Sequence, residues 1–144
     1  MRILIGALFI LLASAASAQA AWFVKAGVTG ATAAQVETRR AGATYGVGLY
    51  CYDNQTPFIY LTGYPYPTGA TMTADVIIDN VRWFRVDMAM GAGGAPQGPA
   101  TAPLVRELIV GLEMQVRLNS ETVNYTLIGS ARSLRSALRN CFVE

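Results

Sequence analysis

"MTADVIIDNVRWFRVDMAM", residues 72–90, reads as two strands folded back on one another, and that reading decides the fold class. Phe84, Val86 and Met88 alternate with Arg85 and Asp87, the period of two that gives a strand one apolar and one polar face. Between the strands sit Asp79 and Asn80, residue types that tolerate the positive φ a tight hairpin turn demands. Working outward, "YGVGLYCYD" (45–53) sets Val47, Leu49 and Cys51 against Gly46, Gly48, Tyr50 and Tyr52 in the same alternation, so Cys51 points with the aliphatic side chains. "FIYLT" (58–62) is apolar on both faces, as a central strand is. "EMQVRLN" (113–119) turns Met114, Val116 and Leu118 inward, and "VNYTLIG" (123–129) returns to pair with it. Trp22, Phe23 and Val24 make a short first strand; the Gly-, Ala- and Thr-rich residues 25–44 yield no assignment. The domain is expected to be mainly β.

Two helices complete the reading. In "LVRELIVGL" (104–112), Leu104, Leu108 and Leu112 recur every four residues. A C-terminal helix is expected over 131–141 with Ser130 as N-cap. Its Leu134, Leu138 and Cys141 fall on one face, and Arg132, Arg135 and Arg139 fall on the other. The segment "GAGGAPQGPATAP" (91–103) carries enough Gly and Pro to be expected as a loop without regular structure, the most mobile internal stretch.

Residues 1–20 have the layout of a secretory signal peptide: Arg2, an apolar run from Ile3 to Ala13, then small residues through Ala20. The run is shorter than the ~20 apolar residues of a membrane helix. Cleavage after Ala18 or Ala20 leaves a single domain over about 21–144, with no later stretch of membrane length and a periplasmic or secreted address. Ten Lys and Arg then face nine Asp and Glu, a balance that gives no reason to expect a nucleic-acid partner. Histidine is absent from the chain, which removes the commonest general base and metal ligand.

The chain has two cysteines, Cys51 and Cys141, both on expected core faces. In an oxidising compartment two such thiols favour a disulfide that pins the last helix to the sheet. A thiolate metal site would need further ligands, and a nucleophile would need a histidine or an electropositive pocket. Asp53 and Asp79 read as turn residues, and Asp75 and Asp87 as solvent-face positions, so no metal site, cofactor or catalytic constellation is expected. Two candidate partner-binding features remain. One is the basic stripe Arg132, Arg135 and Arg139, which also suits a solvated helix face. The other is "GYPYPTG" (63–69), whose prolines either display Tyr64 and Tyr66 or leave the rings folded over the sheet edge.

Trp22, the "LYC" strand (49–51), the Asp-Asn hairpin and the ending "YTLIGSARSLRSALRNC" (125–141) together resemble small exported β-rich proteins of Gram-negative bacteria. These are the proteins grouped with the invasion-associated locus B protein and the VasI-type accessory proteins of type VI secretion. The resemblance implies a small β-sandwich-like domain, paired cysteines and no established catalytic residues. The expected function is a non-catalytic accessory or adapter of the envelope with a protein partner, serving a secretion system or surface interaction. The alternative is an inhibitor or immunity protein that plugs a secreted hydrolase.

Overall fold

The computed structural model describes residues 21–26, 30–52, 54–66, 69, 71–91 and 93–141. The signal-peptide reading of 1–20 and the turn reading of Asp53 lie outside them. Among the described residues the order is β1 (Phe23–Ala26), β2 (Thr32–Arg40), β3 (Ala43–Tyr50), β4 (Phe58–Thr62), β5 (Met72–Ile78), β6 (Arg82–Met90) and β7 (Pro96–Pro99). Then follow α1 (Ala102–Val110), β8 (Glu113–Leu118), β9 (Glu121–Thr126) and α2 (Ser130–Ala137). The strands form one continuous antiparallel sheet in the order β1-β2-β3-β4-β7-β6-β5-β8-β9. The mainly β expectation holds.

The hairpin that decided the class forms as read. Asp79 and Asn80 have φ of 50° and 59°, and Ile78 stands opposite Arg82 across the turn. Asp79 does more than turn the chain: its Oδ1 accepts hydrogen bonds from the N–H groups of Leu112 and Glu113, which clamps the α1–β8 connection to the hairpin. The alternating side chains Val47, Leu49, Ile59, Leu61, Val76, Ile78, Val86, Met88, Met114, Val116, Leu118 and Val123 are all buried in one core. Both halves of the sheet therefore bury the same face. The ends of the sheet meet where Arg40 donates to the Thr122 carbonyl and Trp22 Nε1 to the Thr126 carbonyl at 2.8 Å.

Three expectations are corrected, and one unassigned stretch gains a structure. Residues 91–103 are not a structureless loop: β7 lies within them, between β4 and β6, and joins two four-stranded halves. The same Gly and Pro that suggested a loop serve a tight strand. The prolines occupy the two end positions of β7, and a Cβ at Gly98 would stand 2.3 Å from the Asp87 carbonyl oxygen. Residues 32–40, left unassigned, form β2, whose inward positions Ala34 and Val36 are small and carry a weak periodic signal. Leu112 is not on the buried face of α1; the helix stops at Val110, Gly111 packs against Ile78 and Leu127, and Leu112 is 68% exposed. Ser130 is not an N-cap. Gly129 (φ 85°) holds that position, and Ser130 Oγ donates to the Leu108 carbonyl at 2.6 Å, tying α2 to α1.

Cys51, just past β3, is bonded to Cys141, beyond the end of α2, across a sequence separation of 90 residues. A second tie runs beside it, from the Asn54 N–H to the Asn140 carbonyl at 2.9 Å. α2 itself ends at Ala137, and Cys141 is half-buried against the core.

Candidate functional site

The tyrosine loop does not display its rings. Tyr64 is buried, its hydroxyl 2.6 Å from that of Tyr125 and its ring edge-on to Tyr45 at 5.1 Å between centroids. Tyr66 is half-buried and donates to the Met88 carbonyl at 2.9 Å. Tyr64 is thus a core residue rather than a partner-binding anchor. Burial raises the pKa of both Tyr64 and Tyr125 well above the ordinary phenol value, so this pair is neutral throughout the physiological range. Arg132, Arg135 and Arg139 are exposed; the first two lie on α2, and Arg139 lies beyond its end at Ala137, where the expected helix to Cys141 has already stopped. Arg139 also lines a shallow cavity of about 330 Å³ beside Cys51, Tyr52 and Asn140.

Two surfaces that were not singled out in the sequence come together instead. The first is apolar and lies around Asp79, where three connections converge: β5 to β6, α1 to β8, and β9 to α2. Val81, Val110, Leu112 and Ile128 are 72%, 71%, 68% and 64% exposed. Leu112 and Ile128 face an open groove of about 640 Å³, floored by polar Gln115 and Asn124 and the Asp79-Asn80 turn. Their spacing is fixed by the backbone, because the Leu127 N–H donates to the Leu112 carbonyl at 2.8 Å. Trp83, 58% exposed, stands on the neighbouring sheet face with the Arg117 guanidinium 5.1 Å from its ring centroid. A sequence signal exists in the large aliphatic residues at or near turns, of which the helical spacing assigns only Leu112 to the core.

The second surface is the outer face of β2, β3, β4 and β7. Tyr50 stands opposite Phe58, and Gln35, Gly48, Tyr60 and Gln97 form the next row. Tyr50 contacts three other rings, Tyr52, Phe58 and Tyr60, with centroids 5.7 to 5.8 Å away. Tyr60 lies flat over Gly48; a Cβ there would be 2.3 Å from its ring. Its hydroxyl donates to Gln35 Oε1 at 2.5 Å, and Gln35 Nε2 donates to Glu37 Oε1 at 2.6 Å. Tyr50 donates to Gln97 Oε1 at 2.6 Å. Burial, then the Glu37 charge and Tyr50, push the Tyr60 hydroxyl up to about 12. Burial and Tyr52 raise Tyr50, which its bond to Gln97 partly offsets. The alternation of Gly48 and Tyr50 with Leu49 marked this face in the sequence, but only the fold supplies Gln35 and Gln97.

Among the described residues no three Asp, Glu or Cys side chains gather where they would hold a metal ion, and no helix is long and apolar enough to cross a membrane. No protein-family model, no curated protein and no solved structure matches the chain.

Proposed function

We propose that this chain is an exported, non-catalytic binding protein of the bacterial envelope that meets a protein partner through the apolar rim around Asp79. One observation carries the reading: four aliphatic side chains, each more than 60% exposed, crowd one end of an otherwise well-packed sheet. Aliphatic groups clustered on rigid turns, beside a groove with a polar floor, have the make-up of an interface centre and its rim. Asp79 holds two of the three connections in register, so the surface is ordered before a partner arrives, which lowers the entropy cost of binding. The Cys51–Cys141 disulfide and the leader-like residues 1–20 support an oxidising compartment. The resemblance to envelope accessory proteins supports a role beside a secretion system or at the cell surface.

The test is a crosslinked pull-down of the mature chain from its own cell envelope, with Leu112→Ser/Ile128→Ser as control. Both residues are exposed, so the double variant keeps its fold. A partner captured by the native chain and lost with the variant supports the proposal. Equal capture by both overturns it.

A further inference from the structure

The outer face of β2, β3, β4 and β7 is chemically unlike the apolar rim, and its composition points to a different ligand. From the row of Tyr50 to the row of Thr62 this face carries rings, amides, hydroxyls and glycines, with Ala33 and Pro99 at the two ends of the first row. It holds no Leu, Ile, Val, Met, Lys or Arg, and Glu37 is its only charge. With strands ~4.8 Å apart and side chains on one face ~7 Å apart, it measures about 14 Å each way.

We infer that this face binds a neutral oligosaccharide, whose sugar rings stack on Tyr50, Tyr52 and Tyr60 and whose hydroxyls meet the Gln97 amide and the Glu37 carboxylate. An aromatic ring presents a negatively polarised face. The C–H groups on one side of a pyranose are its natural complement. Tyr60 packs over Gly48 and is half-buried, and Tyr52 is 36% exposed. The Gln97 amide and the Glu37 carboxylate are preset for hydroxyl recognition. Gln35, 1% exposed, does not reach a ligand itself but holds Tyr60 and the exposed Glu37 in place, and Gln97 is oriented by Tyr50. Such prior order keeps the entropy cost of binding low.

The alternatives fit less well. A nucleic acid or acidic glycan is held by many cations. On these four strands Glu37 is the only charge between those rows, and cations stand at the margins alone, Lys25 opposite Ala33 and Arg139 in the cavity beside Tyr52. A protein interface can also use tyrosine anchors, but it joins them to an apolar core with Trp, Met or Arg, and the four strands hold none of these between those rows. An added peptide strand would need an open edge, whereas β3 and β4 are each paired on both sides. The site is separate from the apolar rim, and the inference does not depend on the proposed protein partner.

The test screens the mature chain against an array of neutral glycans, then titrates hits by calorimetry as soluble tetra- to hexasaccharides. An acidic glycan fragment and a proline-rich peptide are run in parallel. At least one neutral oligosaccharide is expected to bind, about tenfold more weakly to Tyr52→Ala and to Gln97→Ala, the loss that removal of one anchor brings. Circular dichroism melting of both variants confirms that they fold. No binding to any neutral glycan, binding unchanged in both folded variants, or binding only to the acidic glycan or the peptide overturns the inference.

Discussion

Trp22 donates its indole N–H to the carbonyl of Thr126 at 2.8 Å, and this bond joins the first described segment of the chain to the last strand, 104 residues away. β9 is an edge strand, paired only with β8, so the carbonyls of Thr122 and Thr126 have no ladder partner. Side chains supply the missing donors: Trp22 at one end and Arg40 at the other. The sheet thus closes through side chains instead of through a further ladder, and its edge is covered without being paired. Trp22→Phe retains a ring in the core and deletes the donor. It is expected to lower stability by about 1–2 kcal/mol. Urea denaturation reads this as a lower midpoint at unchanged slope; an unchanged midpoint would mean that the bond contributes nothing.

The buried hydroxyl pair makes the second prediction. Tyr64→Phe leaves the Tyr125 hydroxyl buried without its partner at a cost of about 1–3 kcal/mol, and Tyr125→Phe does the same to Tyr64. Removing both hydroxyls removes the orphan, so the double variant is expected to be more stable than the sum of the single losses implies. Strict additivity would show that the two hydroxyls do not interact. The same burial sets an alkaline limit. Tyr60, Tyr64 and Tyr125 all have raised pKa values in the folded state, so the unfolded chain gives up these protons first. Stability from them is intact below the ordinary phenol value of ~10 and is lost as the pH rises through the folded values, about 12 for Tyr60. Tyrosinate absorbance should rise in step with the loss of circular dichroism above pH ~10. Full titration of every tyrosine ahead of unfolding would contradict the burial.

The third prediction concerns the staple. Cys51 and Cys141 close a loop spanning 90 residues, and in the chain-entropy view such a link stabilises the fold by about 4 kcal/mol. Cys141→Ser is expected to lower the melting temperature and to raise amide exchange first in α2, whose C-terminal end the bond holds beside the Asn54–Asn140 tie. Unreduced, unfolded native protein should contain no free thiol. Two free thiols in that assay would mean that the bond does not form in the isolated protein.

The elements legible from the sequence were those whose inward residues are large. β5, β6 and β8 announce themselves through Val76, Ile78, Val86, Met88, Met114 and Val116, because branched and long side chains carry the period of two. β2 carries no clear period because its buried inward residues are only Ala34 and Val36, while Ala33 and the polar Gln35 are buried on its outer face. β7 escapes the sequence reading because Gly98 meets a demand set by the close approach of Asp87 on the neighbouring strand β6, which no composition pattern encodes. The same limit governs the surfaces. Leu112 looks like a core residue at its spacing of four from Leu108, and only the end of α1 at Val110 exposes it. The prolines around Tyr64 leave display and burial equally open, and Tyr125, 61 positions away, decides between them by supplying the partner that lets the hydroxyl be buried.

Gly48 and Tyr60 offer the sharpest check on the aromatic face. A Cβ at position 48 would stand 2.3 to 2.6 Å from three atoms of the Tyr60 side chain, so the ring must lift. Lifting breaks its bond to Gln35 and disturbs its contact with Tyr50. Gly48→Ala is therefore expected to cost about 1–3 kcal/mol, even though alanine suits a strand better than glycine does. The argument assigns the whole cost to the ring. In a Tyr60→Ala background the clash is gone, and Gly48→Ala should be neutral or slightly stabilising, since it then only reduces the freedom of the unfolded chain. A double-mutant cycle measured by urea denaturation separates the terms. A coupling energy near zero would mean that Tyr60 does not rest on Gly48, and the ordered ring platform built on that contact would go with it.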